Sequence, residues 1–140
     1  MTIYDLIKTG KMPTPECAKT LGFELLDYSP ETLEIHVAFN GAQCFVNPAG
    51  HIQGGFLCAM LDDVMGPALV FSLPVGQFAP TLELKTQFLR PAVPGRIEGK
   101  GRVVSKGKQV SYLDGELYQN GVLVARATAT ALIQGIKPGK

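Results

Sequence analysis

Apolar and polar residues alternate along most of this chain, in runs of strand length divided by turn residues. From Thr32 to Phe39, Leu33, Ile35, Val37 and Phe39 share one side while Glu34 and His36 take the other, the period of a half-buried strand. Asn40-Gly41 ends that run. Thr81 to Arg90 alternates again, with Leu82, Leu84 and Phe88 opposed to Glu83, Lys85 and Gln87, until Pro91, Pro94 and Gly95 break it. Arg96 to Ser105 sets Ile97, Gly99, Gly101 and Val103 against Arg96, Glu98, Lys100 and Arg102. Lys106-Gly-Lys108 makes a tight turn into the strand Gln109 to Gln119. Asn120-Gly121 is a hairpin turn, because both residues tolerate positive φ. The last run, Val122 to Ile133, lays Ala125, Ala127, Ala129 and Ala131 along one face. Leu21 to Tyr28 reads as a first strand, closed by Ser29-Pro30. Before it, residues 2–9 form a short helix with Ile3, Leu6 and Ile7 on one side, and the prolines of 11–15 extend a connector. Residues 72–80 read as a loop.

One stretch departs from alternation. Asn47-Pro-Ala-Gly-His-Ile-Gln53 is a turn, and from Gly54 the chain is apolar without a turn residue until Gly66-Pro67. The spacing predicts one central helix over Gly54 to Phe71, whose only charges are the neighbours Asp62 and Asp63. A charge on a buried helix is costly unless paired or used. At about 100° per residue, Gly55, Cys58, Ala59, Asp62 and Gly66 fall on one stripe of small residues. Leu57, Leu61, Val64 and Met65 form an apolar arc facing away, and Asp63 lies on the flank between Phe56 and Met60. A carboxylate centred on a small-residue stripe is placed where a backbone or a ligand can approach closely. The plainer alternative is that both Asp face solvent.

The order is strand, strand, long helix, then four strands joined by short turns. Parallel pairing needs longer crossovers than these. The expected fold is therefore α+β, a curled antiparallel sheet of about six strands wrapped around one long central helix. Gly99, Gly101 and the alanines of the last strand leave its inner surface little bulk, so that it can curve. The chain of 140 residues is read as a single domain, 1–140, with 46% apolar and 18% charged residues, and a chain of this size buries about two thirds of its unfolded surface. Thirteen basic and 12 acidic residues leave a net charge of +1, no electrostatic footprint for nucleic acid or an anionic membrane. The three cysteines, Cys17, Cys44 and Cys58, show no metal-ligand spacing and fit free thiols in a reducing cytoplasm. Cys44 as a nucleophile is an alternative that nothing in the sequence pairs with a base. The N-terminus lacks the pattern of a signal peptide. The tail, Gly135 to Lys140, is expected to fray.

The segment Asn47…Gln53-Gly54-Gly55-Phe-Leu-Cys-Ala-Met-Leu-Asp62 resembles the signature of PaaI-like acyl-CoA thioesterases, within the 4-hydroxybenzoyl-CoA thioesterase superfamily, and a helix inside a curled meander resembles the hotdog fold. The resemblance runs from about residue 21 to 134. The family pattern is Asn, then His-Gly-Gly opening the helix, then an acid within it; Asn47, Gly54, Gly55 and Asp62 stand at matching spacings. Thr81 falls where some members carry a catalytic Ser or Thr. Gln53 departs from the pattern, standing where the family has His. It donates and accepts hydrogen bonds but cannot shuttle a proton, and His51 is two residues too early to replace it.

Thioester hydrolysis needs an oxyanion site, a nucleophile or activated water, and an acyl pocket. A helix N-terminus offers free N–H groups and a positive dipole end, and Gly54 and Gly55 put no Cβ in the way of a carbonyl. The alternative role of the Gly pair is close packing alone. Asp62 is the candidate nucleophile or general base, Asn47 positions water or the substrate carbonyl, and Thr81 orients Asp62 or the water. The resemblance implies that Asp and Ser/Thr face the Asn and Gly-Gly of a neighbouring subunit. It thus implies a homodimer, formed through the edge of the Thr81–Arg90 strand, or a tetramer. Coenzyme A enters as part of an acyl-CoA substrate, no other cofactor or metal is implied, and Arg90, Lys106 and Lys108 are candidates for its phosphates. A non-hydrolytic acyl-CoA-binding protein is the alternative that Gln53 raises. A hydratase of the same fold would need an Asp and a His in an arrangement not found here. The acyl group is not legible, nor is the choice between coenzyme A and a carrier-protein thioester.

Overall fold

In the computed structural model, which describes residues 1–136, two short helices lead into the sheet. They are α1 (Ile3–Lys8) and α2 (Glu16–Leu21); β1 (Glu24–Ser29) and β2 (Glu34–Gly41) follow, then a single 3₁₀ turn (Gln43–Phe45) and the long helix α3 (Gly54–Val70). Beyond α3 come β3 (Gln77–Phe78), β4 (Thr81–Phe88), β5 (Gly95–Lys106), β6 (Val110–Gln119), β7 (Val122–Leu132) and β8 (Gln134–Gly135). Six strands form one antiparallel sheet in the order β1-β2-β5-β6-β7-β4. The expected α+β hotdog architecture is the one found. No described helix is long and apolar enough to cross a membrane.

The sheet curls around α3 because its inner face is stripped of side chains where the helix lies. A Cβ added to Gly99 would stand 2.5 Å from Val64, one on Gly101 2.6 Å from Val64, and one on Gly115 2.8 Å from Met65. On β7, Ala125, Ala127, Ala129 and Ala131 are all buried. Into this trough α3 lowers Leu57, Met60, Leu61, Val64, Met65, Ala68 and Leu69, each nearly or wholly buried. Pro67 inside the helix withholds the N–H that would reach the carbonyl of Asp63. The carbonyls at the helix end find side-chain donors instead: Tyr28 Oη–H donates to Ala68 O at 3.2 Å and Ser72 Oγ–H to Leu69 O at 2.6 Å. Burial pushes the Tyr28 phenol up to about 12, with a smaller contribution from Tyr4.

Four local expectations are corrected. Residues 16–21 form a helix and the first strand starts at Glu24, not Leu21: Gly22 takes the left-handed conformation (φ 68°) that stops α2. The connection 72–80 is not all loop, since Gln77 and Phe78 pair with Gly135 and Gln134. That pairing also ties down Gly135, expected to fray; residues 137–140 of the same tail lie outside the described residues. Leu82 does not share a face with Leu84 and Phe88. The β4–β7 register slips between Thr81 and Glu83, and this bulge leaves Leu82 57% exposed. The Asn120-Gly121 turn is as expected, with φ of 52° and 76°.

Candidate functional site

The bulge decides where Thr81 goes. Strict alternation would put Thr81 on the outer face with Glu83, Lys85 and Gln87. The extra residue turns it inward, opposite Ala131, and bulges commonly re-aim a side chain in this way. Thr81 Oγ1–H then donates to Asp62 Oδ1 at 2.7 Å. One helical turn earlier, Cys58 Sγ–H points at Thr86 Oγ1 at 3.4 Å. One turn earlier again, Gly54 lies against the ring of Phe88. From Cys58–Thr86 to Gly54–Phe88 the two elements keep step, four helical residues rising about 6 Å and two strand residues about 6.6 Å; the bulge lengthens the strand between Thr81 and Thr86. Thr86 and Phe88 are the residues that sequence reading missed; the period-2 pattern contained Phe88, but no pattern tied it to Gly54.

The stripe predicted for α3 is the face the sheet leaves open. Gly55, Ala59 and Asp62 are exposed, and Gly55 and Gly66 have nothing within 4 Å of a would-be Cβ. Gln53 caps the helix with its backbone in the extended region (φ −62°, ψ 142°) and makes no side-chain cap bond. Its carbonyl accepts from Phe56 and Leu57 N–H, so the Gly54 and Gly55 amides are among those a first turn leaves free. Asn47 is partly committed: its Oδ1 accepts from the N–H of Ala49 at 3.0 Å and His51 at 3.1 Å, an Asx turn that shapes the loop and leaves its NH₂ as the available group.

Asp63 has a different environment from Asp62. One of its oxygens is enclosed without a hydrogen-bond partner. Burial, helped by the neighbouring charge of Asp62, pushes its carboxyl up to about 7. Asp62 is the exposed member of the pair, and Thr81 holds it.

The three basic candidates are not brought together. Arg90 lies beyond β4 near the N-terminal end of α3, its Nη1–H donating to Leu123 O at 3.1 Å. Lys106 stands at the opposite end of the sheet. The registers Phe88–Ala125–Leu117–Gly99 set it about 20 Å away along the strands. Its Nζ–H donates to Ser72 Oγ at 3.1 Å, a cation at the C-terminal end of α3, where the helix dipole favours one. Lys108 is exposed beside it.

The chain belongs to the thioesterase superfamily. The family's sequence profile matches residues 49–125, from the turn before α3 into β7. A phenylacetic acid degradation-related protein of Ralstonia eutropha JMP134 is 37% identical, with 94% of this chain and 99% of that one covered and a TM-score of 0.90. A Bacillus halodurans protein solved with CoA is 25% identical, covering 96% of this chain and 90% of that one at a TM-score of 0.79. The PaaI protein of E. coli, at 21% identity, shares the fold over 95% of this chain and 94% of its own with a TM-score of 0.82. No curated protein matches. As a PaaI-like member of that superfamily the chain keeps the Gly-Gly helix start and the helical acid, and has Gln53 where the family signature has His.

Within one copy, Asp62 and the Gly54 and Gly55 amides stand apart on the same helix. Asp62 is eight residues along α3 from Gly54, about 12 Å at the helical rise. A nucleophile and an oxyanion donor must both stand about 3 Å from the reacting carbonyl. A concavity on the outer sheet face is lined by Asp27, His36, Lys100, Arg102, Asp114 and Arg126 among others. Acids and bases mix there with the hydroxyls of Ser29 and Thr128, and none of the residues of α3 lines it.

Proposed function

We propose that the protein hydrolyses an acyl-CoA thioester to the free acid and CoA, with two copies of the chain completing each site. The observation that carries this reading is the Thr81–Asp62 hydrogen bond at 2.7 Å on the open stripe of α3, with the free Gly54 and Gly55 amides too far along the same helix to serve the same carbonyl. Antiparallel approach of a second α3 along the small-residue stripe would bring one copy's amides opposite the other's Asp62. The carbonyl oxygen then accepts from Gly54 and Gly55 N–H. Such donors are worth about 2.7–4 kcal/mol when aimed at a developing oxyanion. The carboxylate of Asp62, oriented by Thr81, either attacks the carbonyl carbon or takes a proton from the attacking water; in both routes the C–S bond breaks and CoA leaves as the thiol or thiolate, and in the first a water then cleaves the acyl–Asp62 anhydride to release the acid and restore the carboxylate. Asn47 contributes its free NH₂, and Gln53 hydrogen-bonds near the carbonyl without carrying a proton.

The Bacillus halodurans relative solved with CoA supports coenzyme A as the carrier. Arg90, close to the α3 start, is the basic candidate nearest the reacting end; Lys106 and Lys108 would serve only from the other copy. The second reading, non-hydrolytic binding of acyl-CoA, draws on Gln53 alone. Thiol release from a panel of acyl-CoAs separates the two. Turnover that disappears in Asp62→Asn is the expected result, and tight binding without release for every acyl group would favour the binding protein.

A further inference from the structure

Phe88 stands where a core side chain would be expected and is not used as one. It shares the inner face of β4 with Leu84 and Thr86, yet it is 53% exposed. Its ring instead sits on the first residue of α3. A Cβ built on Gly54 would be 2.9 Å from Phe88 Cζ and 3.3 Å from each Cε, so the tip of the ring touches the backbone that offers the candidate oxyanion amides. Gly55, the next residue, has open space around it. The start of α3 thus has an aromatic ring beside Gly54 on the β4 side and open space beside Gly55.

A carbonyl held there carries two substituents, sulfur and the acyl carbon. The sulfur side leads, after a short methylene spacer, to an amide that needs hydrogen-bond partners; an aromatic ring supplies none. The acyl side is hydrocarbon, which a ring face accepts. We propose that Phe88 is a specificity-determining residue that walls the acyl side of the oxyanion site and limits bulk on the carbon next to the carbonyl. This rests on the thioesterase reading of the site, and it selects straight-chain acyl groups over α-branched ones.

Phe88→Ala and Phe88→Leu, made in the full chain, test it with butyryl-CoA and isobutyryl-CoA, which differ only in branching. Wild type is expected to favour butyryl-CoA. The ratio of kcat/KM should move toward the branched substrate by about tenfold or more in Phe88→Ala, since one methylene's space carries roughly 10–200-fold, and by less in Phe88→Leu. A purely structural ring would not change a ratio between isomers, so an equal fall for both substrates overturns the proposal. Absence of thiol release from either substrate in wild type would refute hydrolysis but not the wall. Affinities for the matching ketone analogues, with CH₂ in place of sulfur, then decide: the same shift in Kd ratio sustains the wall, and an unchanged ratio overturns it.

Discussion

Asp62 and Asp63 are chemically identical neighbours with opposite surroundings, and that difference makes them separable by mutation. Asp62→Asn keeps the volume of the side chain and removes the charge that would attack or take a proton. A loss of about 10²–10⁴ in kcat is expected for such a role, with KM and melting temperature little changed. Steady-state thiol release and thermal unfolding check this together. Asp63→Asn should cost less than about tenfold in kcat (about 1.4 kcal/mol), and its effect should appear in stability. The folded Asp63 keeps its proton up to about 7, against the usual 3.8. Between those values the folded chain holds a proton that the unfolded chain has lost, so stability falls as pH rises through that window and levels off above it. The Asn variant lacks this loss. Its melting temperature relative to wild type should rise from pH 4 to 7 and then stay constant, by the equivalent of about 1–2 kcal/mol after discounting for partial exposure. A difference that does not vary with pH would mean that Asp63 is solvated. Gln53→His restores a titratable group beside the amides and is expected to preserve or raise kcat; a tenfold loss in a folded variant would give Gln53 a role of its own.

At the scale of elements, α3 and its trough fit through absent side chains. Gly101→Ala would bring a Cβ to 2.6 Å from Val64 Cγ1 and 3.1 Å from Val64 O. Backbone oxygen cannot rotate away, so a destabilisation of about 1–3 kcal/mol is expected from overpacking, read as a lower denaturant midpoint. Lys106→Ala should lower the melting temperature slightly, through Ser72 and the end of α3, and leave KM for acyl-CoA unchanged; a raised KM would return Lys106 to the CoA phosphates. The long helix and five of the six strands of the main sheet were legible because their periods differ and most of their ends carry Gly, Pro or Asn-Gly. The stripe holding Asp62 was legible because helical geometry needs no knowledge of partners. Helix α2 was not: it buries only Ala18 and Leu21, too few apolar positions to mark a face, where α1, of the same length, offered Ile3, Leu6 and Ile7. The bulge at Leu82 was not, because it follows from pairing with β7 rather than from local preference. The same lack of tertiary information hid the enclosure of Asp63 and the contact of Phe88 with Gly54.

For the whole molecule, the open stripe of α3 and the unpaired edge of β4 lie side by side, and neither suits a solitary chain: exposed edges pair. A homodimer or larger assembly at micromolar concentration is the expected result by light scattering. A stable monomer that still turns over would contradict the shared site. The sheet order also has a kinetic consequence. β5, β6 and β7 form a meander of sequence neighbours, whereas β4, which precedes them in the chain, crosses to the far side and pairs with β7. Local hairpins close at a small entropic cost and distant pairings at a larger one, so the β1–β2 hairpin on β5 and β4 on β7 both dock after the meander; within one copy β4, a single edge strand held by β7 alone, is the one expected to detach singly. It carries Thr81, Thr86 and Phe88. Native-state hydrogen exchange should then find β4 amides opening at lower free energy than those of β6, and a detached β4 would release Asp62 and unroof Gly54 while the meander stays folded. The candidate site would thus have its own melting event, earlier than that of the protein that bears it.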